Sequence, residues 1–390
     1  CTALRVASVA TQLEYRKISE NSGAGISAGV ENDRPPPSLR PAARYIEQML
    51  RPDLLLQPTP KGLYCPPGDF YLDPVRGAVD RAVISHGHSD HARGGHGAVL
   101  SHPHTLAIMA ARYGQNFAKS TQALEYGEVI DINGVSVWLT PARHILGSAQ
   151  ITVEYKGLRM TFTGDYKRRW DPTCASFEAV DGTHIFISEA TFGLPVFRHP
   201  PTEHEMGKLL RNIADFPDRT HCVGAYSLGK AQRMIRHLRL AGHDAPIYIH
   251  GALEKLCRVY EDAGVPMGDL RPATQDDTSK AAREAFRGQV VIAPPGSFEG
   301  TWAQRFPDPL IGFASGWMSV RQRAKASGVE LPLIISDHAD WDELTGTVRD
   351  VNPDELWVTY GREDALVRWA MLEGRRARPL RLVGYEEEAG

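Results

Sequence analysis

The residues with the clearest capacity for chemistry lie in one short segment, ISHGHSDHARGGH, from Ile84 to His96. Within six residues this segment holds four metal-competent side chains, namely His86, His88, Asp90 and His91. Imidazole and carboxylate together form a ligand set of intermediate softness, which favours zinc and can also bind manganese or iron. Histidines two positions apart can bind one ion, and the Asp-His pair that follows can reach a second. The segment therefore predicts a centre of one or two metal ions, with zinc favoured and manganese possible.

The elements that must position these ligands are strands that end in polar loops. A short apolar run, RAVI (Arg81 to Ile84), precedes the cluster and predicts a β-strand, and the Gly, Ser and Asp that follow mark a loop. Two later strand-like runs end in the same way, at His144 and at Asp165. Gly164 leaves room for close backbone approach beside Asp165. We expect the Asp165 carboxylate, with two oxygens to share, to bridge two ions.

Composition and charge describe an ordinary globular protein. The 390 residues are 42% hydrophobic and 23% charged, and they allow two domains. The net charge of -3 gives no sign of nucleic-acid binding, so any basic surface must be local. The five cysteines are scattered without a C-x-x-C pair, which predicts reduced thiols and a cytoplasmic location. We expect no membrane span, because no apolar run approaches about 18 residues, and no signal peptide.

The chain divides into four segments that differ in composition and in the pattern of apolar residues. Residues 1–50 mix small and polar residues and predict a flexible extension. In residues 51–195 short strand runs alternate with turns, which predicts a sheet sandwich with helices outside. In residues 196–328 amphipathic helices alternate with strand runs, which predicts a parallel α/β unit. Strand runs that end in polar residues return in 329–390, so we expect the α/β unit to be inserted between two parts of one sandwich.

The pattern H-x-H-x-D-H, followed by a histidine before Gly-Ser and then by T-G-D, resembles the metallo-β-lactamase superfamily of binuclear metal hydrolases. The resemblance implies an αβ/βα sandwich, of fold class α/β, with the site along one edge. It also implies that Asp73 lies behind the ligands. The ligands implied for the first metal are His86, His88, His144 and Asp165, and those for the second are Asp90, His91 and Asp165.

Further motifs resemble the β-CASP branch of this superfamily. ISEATFG contains Glu189 at the position of an acidic motif, and SDHADWDEL contains His338 at that of a second motif. AYSLGKAQR and FASGWM resemble the start and the return of the β-CASP insertion. The bacterial ligase-associated DNA exonucleases, relatives of Artemis and of the RNA 3′-end processing nucleases, are the proteins that three further segments resemble most. These segments are GLYCPPGDFYLDP, GDYKRRWDPTC and LIISDHADW. The resemblance thus implies a DNA exonuclease in repair, with an ATP-dependent DNA ligase and a helicase as partners.

Several residues receive expected roles from this resemblance. His338 is the candidate general acid, with Glu189 orienting it and raising its pKa, and Asp90 is counted among the catalytic residues as well as the ligands. VTYG contains Tyr360 where the RNA nucleases of this branch carry a histidine for the second metal. A neutral phenol with a pKa near ~10 is a poor zinc ligand. We therefore expect the first metal to bind tightly and the second weakly.

Substrate contacts must come from local basic and aromatic side chains. Basic side chains would neutralise phosphates, and an indole could stack on an unpaired base. The candidates are Lys167, Arg168, Arg169, Lys230 and Trp317, and further candidates are Trp170, Arg233 and the run RQRAK from Arg321 to Lys325.

Three other functions compete with a DNA nuclease. An RNA-processing nuclease would use the same metal ligands. The presence of Tyr360 in place of a histidine argues only weakly against this function. A small-ester metallohydrolase is disfavoured by the insertion of residues 196–328, which resembles a nucleic-acid clamp. A non-catalytic subunit that lost its metals is disfavoured by the intact ligand set from His86 to Asp165.

Overall fold

The computed structural model describes residues 51–274, 279–320, 322 and 328–380. The predicted extension of residues 1–50 lies outside this range, as do Arg321 and residues 323–325 of the RQRAK run. Within the described range, no helix has the length and apolar character needed to cross a membrane.

Strands predominate in the first half of the described chain, whereas helices and strands alternate through much of the second half. In the first half the elements are α1 Pro52–Leu55, β1 Gln57–Thr59, β2 Gly62–Cys65, β3 Phe70–Leu72, β4 Arg81–Val83, β5 His96–Ser101, α2 Pro103–Tyr113, β6 Ala118–Ala123, β7 Val129–Ile132, β8 Val135–Pro141, β9 Ala149–Tyr155, β10 Leu158–Phe162 and β11 Ile185–Ala190. In the second half they are α3 Thr202–Asp215, β12 Thr220–Gly224, α4 Lys230–Leu240, β13 Ile247–Ile249, α5 Gly251–Asp262, β14 Leu270–Pro272, α6 Lys280–Glu284, β15 Val290–Ala293, β16 Pro309–Ala314, β17 Leu331–Leu333, α7 Trp341–Val351, β18 Glu355–Gly361, α8 Glu363–Leu372 and β19 Arg376–Pro379.

Two mixed sheets face each other across one apolar core. The first has the strand order β1-β2-β3-β4-β5-β6 and the second β19-β18-β11-β10-β9-β8-β7. Strand β8 shows how the sequence builds the core, because buried and partly exposed residues alternate strictly along it. Its buried Val137 packs in one cluster with Leu63 and Val83 of the first sheet and Ile151 of the second.

Helices cover the outer faces of both sheets. Met109 of α2 packs with Val99 on the first sheet, and Leu344 of α7 and Leu366 of α8 pack with Val358 on the second. The order helix, sheet, sheet, helix confirms the expected αβ/βα sandwich.

A third sheet is entirely parallel and lies between the two parts of the sandwich in the chain. Its strand order is β14-β13-β15-β12-β16-β17. Apolar side chains of α3, α4 and α5 pack on it in one cluster, as expected for a parallel α/β unit. Strand β17 lies beyond residue 328 yet pairs with β16, so this sheet extends past the predicted boundary. The division of the chain into domains remains a prediction.

Candidate metal centre

The loop after β10 approaches the loop after β4 at a glycine. Gly164 has a φ of +53°, and a Cβ atom built there would lie 2.6 Å from Ser85 Oγ. A side chain at this position would force a neighbouring group to move, whereas glycine adopts the conformation freely. The close backbone approach expected at Gly164 is thus confirmed, and it brings Asp165 next to His86.

Three imidazoles from two strand-end loops converge on one carboxylate oxygen of a third loop. Asp165 Oδ2 lies 3.5 Å from His86 Nε2, 3.4 Å from His91 Nε2 and 3.6 Å from His144 Nε2. His88 completes the cluster, because its Nδ1 lies 2.9 Å from His144 Nε2. Asp165 therefore occupies a central position, as a bridging ligand requires.

Two groups in this cluster have the spacing of metal ligands, since the ligand atoms within each group lie within 4.8 Å of one another. The groups are His86, His88, His144 and Asp165, and Asp90, His91 and Asp165. They are the two sets that the sequence resemblance implied. Two further groups have this spacing, namely Asp165, Glu189 and His338, and Asp73, His86 and His91.

The residues of this cluster fit a metal ion. Within the described part of the chain, His86 Nε2 and Asp90 Oδ1 are buried without a hydrogen-bond partner. An unsatisfied buried polar atom costs about 1–3 kcal/mol, and a bound cation would supply the missing partner. The nitrogen and carboxylate donors are those that zinc accepts.

Groups behind the ligands fix their orientation. His91 Nδ1 donates to Asp73 Oδ2 at 2.7 Å, and Asp73 Oδ1 accepts the Ser85 N–H at 2.7 Å. The other nitrogen of His91 then faces Asp165. His144 Nδ1 lies 2.8 Å from the backbone oxygen of Asp337, which likewise leaves Nε2 for a metal. Such outer partners set the tautomer of a ligating histidine, and Asp73 performs this task from the expected place.

The protonation states suit metal binding. Burial holds the pKa of His86 and His144 well below the usual histidine range, so both imidazoles keep their lone pairs. Burial alone would raise the pKa of Asp165, but the surrounding imidazoles, His91 first, hold it well below the usual range. Burial alone would lower the pKa of His91, but the Asp165 and Asp90 carboxylates raise it well above the usual range. The cluster therefore combines two neutral imidazoles, His86 and His144, with the ion pair of His91 and Asp165.

A histidine–carboxylate pair borders the same cluster. His338 Nδ1 lies 3.0 Å from Glu189 Oε2, and Glu189 Oε1 accepts the Tyr166 N–H at 2.7 Å. Burial alone would lower the pKa of His338, but the Glu189 and Asp165 carboxylates raise it to about 9. The His338 side chain is 26% exposed, so it can reach a bound molecule.

Tyr360 lies beside the second ligand group. Its φ of +60° is rare for a bulky residue, and its ring centroid lies 5.4 Å from that of His91. A residue in such a conformation at a site wall often marks function. The phenol therefore occupies the side of the cluster where the second metal is expected.

A cavity of about 90 Å³ opens above the ligands. The sandwich contributes His338, Tyr360 and every candidate metal ligand except His86, and the third-sheet unit contributes Tyr226, Lys230 and Trp317. Lys230 and Trp317, expected to contact substrate, thus lie in the wall of the cavity.

Lys167 requires a correction, because it was expected to contact substrate. Its side chain is fully buried, with Nζ 2.8 Å from Asp171 Oδ2, and it donates to the backbone oxygen of His144 at 2.5 Å. Arg233 is buried as well. Neither cation can reach a phosphate in the cavity, so both act inside the fold.

Arg168 and Arg169 also require correction. Arg169 Nη2 lies 2.6 Å from Asp340 Oδ2, and Arg168 Nη1 lies 2.6 Å from Asp350 Oδ2. Trp170 is half exposed and packs edge-on against His237. None of the three is among the described residues that line the cavity. The nearness of Arg168 and Arg169 to Asp165 in the chain was misleading, since both side chains turn towards carboxylates instead.

A basic groove meets the cavity at His88 and Tyr226. The groove has a volume of about 540 Å³, and its wall includes Arg112 of α2 and Lys255 and Gly251 of α5. Among the described residues that line it there is no carboxylate. The sequence does not reveal this groove, because its cations stand singly on two helices that are far apart in the chain.

Buried histidines should make the fold sensitive to acid. Burial lowers the pKa of His102, His199 and His237 to about 4, whereas a histidine in the unfolded chain titrates near ~6.5. Their contribution to stability is complete above pH ~6.5 and is lost as the pH falls towards 4. We expect His237→Gln to reduce the loss of unfolding free energy between pH 7 and 5 by roughly 1–2 kcal/mol, measured by urea denaturation.

The control for this prediction is His204→Gln, because the His204 side chain is 60% exposed. Both variants keep the metal ligands, so the difference between them isolates the buried histidine. An acid sensitivity of His237→Gln equal to that of the unmodified protein would contradict the prediction.

Known proteins resemble this chain in sequence and in fold, although no family profile matches it. A probable DNA ligase of Opitutus terrae is 31% identical over 332 residues, which cover 80% of this chain and 30% of the relative. Endoribonuclease YSH1 of Candida glabrata is 31% identical over 304 residues, 63% of this chain and 39% of the relative. Cleavage and polyadenylation specificity factor subunit 3-I of Arabidopsis thaliana is 26% identical over 299 residues, 63% of this chain and 42% of the relative.

A solved structure shares the fold. A protein of unknown function from Enterococcus faecalis V583 aligns with a TM-score of 0.53 and 12% identity, over 78% of this chain and 80% of that one. The sandwich and its strand-end ligand cluster define a protein of the metallo-β-lactamase type. With these relatives and the parallel third sheet, the chain is similar to the β-CASP branch of that superfamily, which its sequence motifs also resemble. It spans less than half the length of each of the three curated relatives named here.

Proposed function

We propose that the protein is a metal-dependent nuclease that hydrolyses phosphodiester bonds of DNA. The observation that carries the proposal is the pair of ligand groups that share Asp165 at the floor of the cavity. When bound there, metal ions would lower the pKa of a water molecule and neutralise charge on a phosphate. We expect zinc in the centre, with manganese as an alternative, and weaker binding on the side of Tyr360.

The residues around the centre divide the remaining tasks. His86, His88, His144 and Asp165 would hold one ion, and Asp90 and His91 would share Asp165 to hold the other. Glu189 holds His338 through Nδ1, which leaves Nε2 to deliver a proton to the leaving oxygen. Lys230 and Trp317 in the cavity wall would bind a neighbouring phosphate and stack on a base.

DNA is favoured as the substrate by one comparison and by the sequence resemblance. The relative that matches 80% of this chain carries the name of a DNA ligase, and Tyr360 stands where the RNA nucleases of this branch carry a histidine. We further propose an exonuclease in DNA repair, functionally associated with an ATP-dependent DNA ligase and a helicase. The similarity to a ligase-named protein supports the first of these partners.

RNA is the second candidate substrate, because several relatives are named endoribonucleases. Matched, end-labelled single strands of DNA and RNA, digested by metal-loaded protein, separate the two. We expect shortening of the DNA strand alone, lost in His86→Ala, with the labelled end showing the direction. Cleavage of RNA alone would replace DNA by RNA in the proposal, and the absence of cleavage in both strands would contradict a nuclease.

The basic groove gives a prediction about strand binding. Lys255 is exposed and lines the groove, so it can contact a phosphate several nucleotides from the cleaved bond. We expect Lys255→Gln to raise the KM for a long DNA strand about 3–10-fold and to lower the slope of log KM against log salt by about 0.7. Turnover of a small diester such as thymidine 5′-p-nitrophenyl phosphate should not change.

Arg258→Gln is the matched control for this prediction. Arg258 lies on the same helix with its side chain 74% exposed, and it is not among the described residues that line the groove. Equal effects of the two substitutions, or an unchanged KM in Lys255→Gln, would contradict a strand path along this groove.

A further inference from the structure

A buried network of charges lies directly behind the metal centre. At its middle is Arg233 of α4, which is fully buried. Its Nη1 donates to the Ser336 backbone oxygen at 2.7 Å and lies 3.3 Å from Asp337 Oδ1. Its Nε lies 3.6 Å from Asp171 Oδ2, and its Nη2 donates to Thr202 Oγ1 at 2.5 Å. One guanidinium thus joins the third-sheet unit to two loops of the sandwich.

Both of those loops hold the metal ligand His144. The backbone oxygen of Asp337 contacts His144 Nδ1 at 2.8 Å. Lys167, which pairs with Asp171 at 2.8 Å, donates to the backbone oxygen of His144 at 2.5 Å. The ring and the backbone of this ligand are therefore fixed by two groups that Arg233 connects.

The same segment carries the candidate general acid. Ser336 Oγ accepts the His338 N–H at 3.0 Å and donates to the His338 backbone oxygen at 3.0 Å. Because Arg233 holds the backbone of Ser336, its position also sets where His338 enters the cavity. A ligand and a proton donor on different loops thus depend on one side chain of the inserted unit.

The composition of the network indicates that it positions residues of the site, rather than only stabilising the contact between the third-sheet unit and the sandwich. Its members are three cations, Lys167, Lys230 and Arg233, and two carboxylates, Asp171 and Asp337. Burying charges costs desolvation free energy, and well-packed apolar side chains often stabilise a fold at least as well. A planar guanidinium with several fixed partners instead defines geometry.

Helix α4 also reaches the substrate cavity. Lys230 begins this helix, lines the cavity and places Nζ 3.6 Å from Asp337 Oδ2. A phosphate bound by Lys230 would therefore contact the same helix that positions Asp337. The network is a direct link between the substrate-facing part of the inserted unit and the metal centre.

We propose that Arg233 is a positioning residue that couples the inserted α/β unit to the metal centre by setting the geometry of His144 and His338. This inference rests on the proposed metal-dependent function. It assigns to Arg233 a task that no exposed basic residue can perform, since the task requires buried contacts to two loops at once.

Cobalt substitution tests this inference without relying on activity alone. We expect Arg233→Met to weaken binding of the first Co²⁺ equivalent about 10–100-fold and to change the visible absorption of the bound ion. With saturating metal, kcat for thymidine 5′-p-nitrophenyl phosphate should fall while KM changes little. Arg233→Lys keeps the positive charge but loses the planar guanidinium. Its cobalt affinity and its kcat should lie between those of Arg233→Met and those of the unmodified protein.

Arg236→Met is the matched control, because Arg236 lies on the same helix and bonds only to the Pro266 backbone oxygen in the described contacts. A folded Arg233→Met with the affinity and absorption spectrum of the unmodified protein would overturn the inference. If Arg233→Met does not fold, an unaltered spectrum in Arg233→Lys would overturn it equally.

The outcomes for the unmodified protein separate this inference from the proposed function. Cobalt binding that responds to Arg233, without cleavage of any diester or nucleic acid, would contradict the nuclease and support the positioning role. Failure of the unmodified protein to bind cobalt would contradict the metal centre and the inference together.

Discussion

Replacement of Asp165 by alanine is expected to remove the metal ions and abolish hydrolysis together. Its Oδ2 lies within 3.6 Å of a ring nitrogen of each of His86, His91 and His144, and it is the member common to both ligand groups. Without the bridging carboxylate, the second group keeps only two protein ligands. We expect kcat/KM for DNA to fall on the order of 10³-fold or more, with zinc content measured on the same sample.

Asp342→Ala provides the control for this prediction. The Asp342 side chain is 62% exposed and pairs with Arg198 on the surface, so its loss should leave both metal content and activity unchanged. Zinc retained at full stoichiometry in a folded Asp165→Ala protein would contradict the bridging role.

Replacement of His338 by alanine should slow turnover far more than it weakens binding. A positioned general acid contributes about 10²–10⁴-fold to a rate, and His338 is held for this role by Glu189 at 3.0 Å. We expect kcat for a DNA strand to fall by that factor, with KM nearly unchanged and both metals retained. The loss should be much smaller for thymidine 5′-p-nitrophenyl phosphate, because p-nitrophenolate leaves without a proton.

The leaving-group comparison distinguishes proton donation from metal binding. His338 also belongs to a ligand-spaced group with Asp165 and Glu189, and a metal ligand would act on both substrates equally. Equal losses on the two substrates, accompanied by a lower metal content, would contradict the role of His338 as general acid. His204→Gln, which changes an exposed histidine, serves as the unaffected control.

The cluster of candidate metal ligands could be predicted from sequence because its members follow the ends of strands. Strands β4, β8 and β10 run into the loops of His86, His144 and Asp165, and strand ends in one sandwich edge meet in space. The family resemblance also pointed to Asp73 and Glu189. In the structure Asp73 contacts His91 and Glu189 contacts His338. Local pattern and fold thus agreed at the centre, as the sandwich architecture requires.

The substrate-binding residues could not be predicted in the same way. Lys167, Arg168 and Arg169 lie within four residues of Asp165 in the chain. Carboxylates distant in the chain, Asp340 and Asp350, bind two of them. Whether a cation is free for substrate depends on these tertiary partners. The basic groove shows the reverse case, because Lys255 lies in no run of consecutive basic residues that would mark it in the sequence.

The most direct test of a metal-dependent nuclease is to add zinc stepwise to metal-free protein while measuring both bound metal and cleavage of an end-labelled DNA strand. We expect one equivalent to bind tightly and a second more weakly, because the sequence resemblance implies that Tyr360 replaces a histidine that would help hold the second ion. Cleavage should rise as the centre fills and disappear when a chelator is added. Protein that holds its full complement of zinc and leaves the strand intact, or that cuts it equally well after chelation, would contradict this account.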